Sequence, residues 1–209
     1  MSARHRNDRP DGRRTAAVSD VPTVVQVFNT VDRGGAETVA LDLCRAVPPS
    51  EAHQVILVIG DRTGAMAPAF LRAGAEVRRC PFRPLAAFVP RLFRCLRMIR
   101  PDVVVSHVGV RSGLVLATAA AAGVRVRVAR MNSEGDGRPD TPGWRALRAV
   151  LRAMLRRSAT DVLGVTEAAL AFAGRRTTDP RFRVLPNGVD VDRFASTRTP
   201  RTDHGNPPR

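Results

Sequence analysis

Three places in this chain set ligand-gripping residue types directly after a run of strand formers. The first is Gly34-Gly35, which follows Thr23-Val24-Val25-Gln26-Val27-Phe28 and opens a helical pattern. Glycines there permit close backbone approach and unusual φ. The first amides of the following helix lack internal partners, which suits a phosphate or a carboxylate. The same pair also fits an ordinary tight turn. The second is His107, after Val103-Val104-Val105-Ser106. An imidazole at a strand end can bond a sugar hydroxyl or steady a developing charge; a satisfied surface histidine is the alternative. The third is Arg130, Asn132 and Ser133, followed by Glu134-Gly135-Asp136-Gly137. These side chains suit sugar hydroxyls or a phosphate, and they suit a solvated loop equally.

Other chemistries are not written here. The chain contains no lysine, so no lysine-bearing phosphate loop exists, and no GxGxxG fingerprint follows a strand. Cys44, Cys80 and Cys95 show no CxxC spacing and no histidine beside them, so they read as buried reduced thiols, not as zinc ligands or a disulfide scaffold. The Glu134–Asp136 stretch lacks the ligand spacing of a calcium loop. No nucleophile–base constellation and no paired carboxylates emerge.

Strand and helix patterns alternate around these residues. Strands are expected over 23–28, 54–59, 76–80, 102–106, 125–129, 161–165 and 182–185. Helices are expected over 36–47, 66–73, 85–99, 112–122, 144–157 and 167–173, with a polar loop over 133–143. Pro48-Pro49, Gly74, Pro101 and Gly123 supply the stops. The run 23–28 is apolar enough for burial on both faces, whereas 125–129 alternates Arg and Val and is expected nearer an edge. Such alternation implies an α/β fold with a doubly wound, mainly parallel sheet. Ligands bind such sheets at the carboxyl ends of the strands, where the three candidate groups lie.

Composition narrows the partners. The net charge is +15, yet all 34 basic residues are Arg and aromatics make up only 4%. Single-strand binding stacks bases on aromatic side chains; with those missing, nucleic acid is not an expected partner. Two helices carry Arg stripes: Arg91, Arg94, Arg97 and Arg100, then Arg145, Arg148, Arg152 and Arg156. A stripe of this kind is either the solvated face of a core-packing helix or a contact for anionic lipid. The longest apolar run, 114–124, falls well short of the ~20 residues of a membrane span. Residues 1–20 lack the apolar core of a secretory signal. A cytoplasmic location is expected; the lipid reading of the stripes would add peripheral contact at the inner face of the membrane.

Three phrases resemble the N-terminal domain of family 4 glycosyltransferases, which have the two-domain GT-B architecture. They are Gly34-Gly35-Ala36-Glu37, Pro101-Asp102-Val103-Val104-Val105-Ser106-His107, and Leu185-Pro186-Asn187-Gly188-Val189-Asp190 with Phe194. The likeness covers roughly 22–195. It implies one Rossmann-like half of a GT-B fold over 22–194, flanked by a disordered basic arm over 1–21 and a disordered tail over 195–209. It further implies hexose transfer from a nucleotide-sugar, with retention and without a metal or other cofactor, as in polysaccharide biosynthesis. His107 would lie near the transferred sugar. Gly34, Gly35 and Glu37 would approach the donor diphosphate, with Arg130, Asn132, Ser133 and Asn187 among the substrate-binding residues. The chain after Asn187 would lead into the second domain.

That second domain normally supplies a basic pair and two carboxylates for the nucleotide-sugar, and 195–209 hold neither. The resemblance therefore implies a truncated product, a vestigial remnant, or an acceptor-side half that acts on a glycan or lipid-linked acceptor and depends on a separate donor-domain chain. The alternative is a non-catalytic interaction or membrane-surface protein that keeps the half-fold.

Overall fold

The computed structural model describes residues 21–175 and 179–188. Residues 1–20 of the expected arm, the expected tail, and Val189, Asp190 and Phe194 lie outside them. Seven strands form one sheet: β1 Thr23–Phe28, β2 His53–Val58, β3 Glu76–Arg79, β4 Val103–Ser106, β5 Val126–Met131, β6 Asp161–Gly164 and β7 Phe182–Val184. Between them lie α1 Gly35–Ala46, α2 Ala67–Arg72, α3 Leu85–Ile99, α4 Ser112–Ala121, α5 Pro142–Ser158 and α6 Glu167–Phe172. Every neighbouring pair is parallel, in the order β3-β2-β1-β4-β5-β6-β7.

The order dictates which face each helix covers. From β1 the chain steps outward to β2 and β3, then returns to β4 and continues the other way. Right-handed crossovers put helices of opposite stepping direction on opposite faces. Accordingly Ala40, Leu41, Cys44 and Phe70 of α1 and α2 pack with Phe28, Ile56 and Val58. Phe88, Leu92, Leu96, Val115, Leu116, Leu155 and Leu170 of α3 to α6 pack with Val25, Val27, Val55, Leu57 and Val104. The strict alternation along β1 and β2 between the two cores follows from the two-residue period of a strand.

One polar contact is sealed beneath α1. The Cys44 thiol donates to Gln54 Oε1 at 3.1 Å, and Gln26 Nε2 approaches the same oxygen at 3.4 Å. Burial pushes the Cys44 thiol up to about 11. All three cysteines are free, with Cys44 and Cys80 buried as expected.

β5 is not near an edge. It lies between β4 and β6, third from the β7 side. Its Arg–Val alternation has a different cause. Ala129 and Met131 face the α3–α6 core, while on the other face no described helix covers the strand and Val126 is 41% exposed. Arg127 lies over the carboxyl end of α5, where Nε donates to Ser158 O at 2.6 Å. A cation is favoured at a helix carboxyl terminus. One-sided cover and a helix end made an interior strand look like an edge.

α4 and α5 cross in near backbone contact at Gly113. A Cβ there would overlap the Leu151 carbonyl oxygen and lie 3.0 Å from Leu155 N. This crossing sets the position of both helices relative to the carboxyl end of the sheet.

Candidate functional site

The winding direction reverses between β1 and β4, and in such sheets the crevice beyond that reversal is the ligand position. Phe28 ends β1 and His107 follows β4, and their rings stack there, 4.2 Å apart and 8° from parallel. The His107 amide donates to Val27 O at 2.9 Å, prolonging the ladder by one residue. Asn132, one residue past β5, places Nδ2 3.4 Å from His107 Nδ1. For that amide to donate, Nδ1 must be the bare nitrogen, which puts the proton on Nε2.

His107 is held neutral. Burial, aided by the positive charge of Arg130, lowers its pKa to about 3. Arg130, only 8% exposed, donates from Nη2 to Asn187 Oδ1 at 2.7 Å. No carboxylate pairs with it among the described residues. Burial lowers its pKa as well, from a value so high that the charge is retained.

Two buried polar atoms in this corner, His107 Nε2 and Arg130 Nη1, have no hydrogen-bond partner among the described residues. Buried polar groups are nearly always paired, and an unpaired one costs ~1–3 kcal/mol. Their gathering at the ends of β4 and β5 marks a place where outside oxygen atoms would complete the bonding. A neutral imidazole and an unpaired guanidinium together fit hydroxyls and anionic oxygens.

His107, Arg130, Asn132 and Asn187 thus join into one cluster: Asn132 Nδ2 also reaches Arg130 O at 3.4 Å, and the Arg130–Asn187 bond spans 57 residues of sequence. Ser133 sits beside it, its Oγ donating to Gly135 O at 2.8 Å. His107 and Ser133 both line a cavity of about 410 Å³ with Gly109, Arg111, Asp136, Arg138 and Trp144. Sequence reasoning missed Arg111, Arg138 and Trp144. The strand-end rule could have flagged Arg111, since it lies in the loop between β4 and α4. Asp136 is no calcium ligand here. It accepts from Trp144 Nε1 at 2.9 Å and Arg148 Nε at 3.2 Å. Among the described residues, no three His, Cys, Asp or Glu side chains gather as a metal site would require.

The β1–α1 turn forms a separate part of the site, and it meets the His107 cavity where Arg111 Nη2 donates to Asn29 Oδ1 at 3.4 Å. Asp32 and Val31 pin it to the loop before α2: Asp32 accepts from Ala65 N at 3.0 Å, and Val31 N donates to Thr63 O at 2.8 Å. Gly34 caps α1 at φ −156°, ψ 165°, which is extended backbone open to any residue. The unusual φ expected of it is absent. What Gly34 does provide is room, because a Cβ would overlap the Glu37 carboxylate folded back over it. Glu37 stands at the third helical position, where a carboxylate reaches back towards the free amides. A Cβ on Gly35 would meet nothing within 4 Å, so no internal contact requires that glycine.

The second Arg stripe also departs from expectation. Arg148 on α5 is only 14% exposed in its side chain and pairs with Asp136 and Asp140. Arg152 lies over the Phe172 ring at 5.0 Å. These cations turn inward because their partners come from the 133–143 loop and α6. On the same helix it is Leu147 and Val150 that face outward.

With this geometry in place, the comparisons are specific. Residues 34–188 match the family model described as Glycosyl transferase 4-like domain. A Bacillus subtilis (strain 168) protein named "Putative glycosyltransferase EpsF" is 28% identical over 181 residues, covering 82% of this chain and 46% of that protein. The crystal structure of Anabaena Alr3699/HepE in complex with UDP-glucose superposes with a TM-score of 0.62 at 16% identity, over 81% of this chain and 45% of that one. A UDP-N-acetylglucosamine 2-epimerase shares the fold at a TM-score of 0.53 and 15% identity, over 80% of this chain and 48% of that one. At such identities the structural likeness establishes the fold alone. The chain spans about half the length of the relatives it matches.

Proposed function

This chain belongs to the glycosyl transferase 4-like family, and from that premise we propose that it forms the acceptor-side half of a retaining glycosyltransferase. The reaction passes a hexose from a nucleotide-sugar to a hydroxyl of a glycan or lipid-linked acceptor. The bond from the anomeric carbon to the diphosphate breaks. A bond to the acceptor oxygen forms, and the acceptor proton leaves with the diphosphate.

The observation that carries this reading is the pair of unpartnered atoms, His107 Nε2 and Arg130 Nη1, beside the sheet switch point. His107, being neutral, shares hydrogen bonds with sugar hydroxyls without competing for protons near pH 7. Arg130 supplies positive potential towards departing phosphate oxygens, the largest kind of contribution in such displacements. Gly34 and Gly35 let the diphosphate reach the first amides of α1, and Asn132, Ser133 and Asn187 hold hydroxyls around it. Transfer proceeds without a metal, so EDTA leaves it unchanged. Turnover depends on a donor domain, as the half-length coverage of the relatives supports, and the chain alone binds the nucleotide weakly.

UDP is the probe, because it is the nucleotide of the sugar bound in the structural neighbour. A Kd on the order of 1 mM is expected, read by NMR shift perturbation. Gly35→Ala should leave thermal stability unchanged or slightly raised, since alanine favours helix over glycine by up to ~1 kcal/mol. The same change should weaken UDP at least tenfold. Equal UDP binding by the two proteins would remove the turn from the donor site.

α3 favours a second property, peripheral contact with anionic membranes. Met98 is 73% exposed on its outer face, beside exposed Arg94 and Arg97. An arginine near such a surface contributes ~1 kcal/mol. Vesicles rich in phosphatidylserine should float with the protein, and Arg94→Glu with Arg97→Glu should cut that binding more than tenfold. Equal flotation with neutral vesicles would contradict it. No helix among the described residues is long and apolar enough to cross a membrane.

A further inference from the structure

Beside the polar cavity lies a second, of about 780 Å³, bounded by the start of α3, by α4 and by α5. The two share Arg111, Arg138 and Trp144. Its walls are apolar: Phe82, Leu85, Leu114, Leu147, Val150 and Met154. Leu85, Leu147 and Val150 are 54%, 46% and 56% exposed. An open apolar trough of this kind marks a binding groove more often than idle surface.

Charge says what enters it. Arg83, Arg111 and Arg138 stand along the groove, and none pairs with a carboxylate among the described residues. Among the described residues Arg111 donates to the Asn29 side-chain oxygen at 3.4 Å and lies 5.7 Å above the Phe82 ring. Arg138 lies 4.8 Å above the Trp144 ring. The nearby carboxylate, Asp136, is taken by Trp144 and Arg148. Burial and the charge of Arg138 both lower the Arg111 pKa, as expected for neighbouring cations that no anion offsets. So a long apolar trough ends in uncompensated guanidinium groups, and these border the pocket that holds His107.

We propose that this groove binds the acceptor, and that the acceptor is a sugar carried on a phosphate or pyrophosphate of a long-chain alcohol. The hydrocarbon lies along Leu147, Val150 and Leu85, Arg111 and Arg138 grip the phosphate, and the sugar reaches His107. This rests on the transferase reading and narrows its acceptor to a single bound lipid, distinct from contact of α3 with bulk membrane.

Trp144 is the sole tryptophan and tyrosine is absent, so intrinsic fluorescence reports from the groove itself. Farnesyl diphosphate should shift Trp144 emission saturably. Inorganic pyrophosphate and farnesol should each bind at least tenfold more weakly. Arg111→Ala with Arg138→Ala should weaken farnesyl diphosphate at least tenfold, as should Leu147→Asp, an exposed change that spares the core. Equal binding of pyrophosphate would reduce the site to an anion contact, and equal binding of farnesol to an unspecific apolar surface. The same shift from phosphatidylserine vesicles, with farnesyl diphosphate unable to compete, would make the groove a membrane contact. Each of these results overturns the proposal. UDP binding, measured in parallel by NMR, separates the two readings. Loss of the lipid result with UDP retained removes only the acceptor class, and loss of UDP binding removes the transferase reading itself.

Discussion

Gly113→Val should unfold most of the protein at ambient temperature, and Gly113→Ala alone should cost about 2–3 kcal/mol. A Cβ at this position would overlap Leu151 O and crowd Leu155 N. Both are main-chain atoms of α5, so no rotamer change relieves the clash and the helices must separate. Separation would loosen Val115, Leu116, Ala119 and Leu155, each fully buried against the sheet. Overpacked cores lose ~1–3 kcal/mol, with rigid contacts at the upper end. Alanine recovers up to ~1 kcal/mol through helix propensity, whereas β-branched valine recovers less and adds two methyl groups. Total stabilities of ~5–15 kcal/mol leave little reserve against the larger residue. Urea denaturation monitored by circular dichroism would measure the loss. A Gly113→Ala midpoint at or above wild type would mean that α4 and α5 part without cost.

The elements were legible from sequence because their signals are local. β1 at 23–28 and α3 at 85–99 have the expected bounds, and the other elements differ by a residue or a few at their ends. Valine runs and Gly or Pro stops need no tertiary information. Position within the sheet was not legible for β5, since its alternation depends on which helices cover which face. The strand-end rule found His107, Arg130 and Asn132. It could not find that Arg130 meets Asn187, because the partner arrives from after β7. Nor could it show that Arg148 and Arg152 turn inward, which depends on Asp136, Asp140 and Phe172. The groove between α3 and α5 escaped for the same reason. Its apolar residues carry a helical period that reads as core until the packing leaves Leu147 and Val150 uncovered.

Acid should expose the strain held at His107. Its pKa in the folded protein is about 3, against ~6.5 for a free histidine. Above pH 6.5 the ring is neutral in both states, and His107 adds no pH dependence. As pH falls from 6.5 towards 3, the unfolded chain takes up a proton that the folded protein refuses. Stability therefore drops with falling pH, by up to ~1.4 kcal/mol per unit from this group alone. Below pH 3 both states are protonated and this contribution levels off. His107→Gln removes the titration and keeps a donor, so the gap between the two stability curves should widen steadily from pH 6 to pH 4. Arg130→Met should shrink that gap by removing the second cause of the low value, letting the His107 pKa rise. NMR of the imidazole nitrogens would follow the titration directly. A His107 that protonates near pH 6 would mean that water reaches Nε2. The pocket would then be open and solvated, and the unpartnered atoms of β4 and β5 would need no substrate to complete them. A ring still neutral at pH 5 keeps the cluster as a dry set of donors. In that case the proposed transfer, measured with a donor domain supplied, should show no limb from His107 between pH 5 and 8, while His107→Ala should lower it about a hundredfold by removing a placed donor.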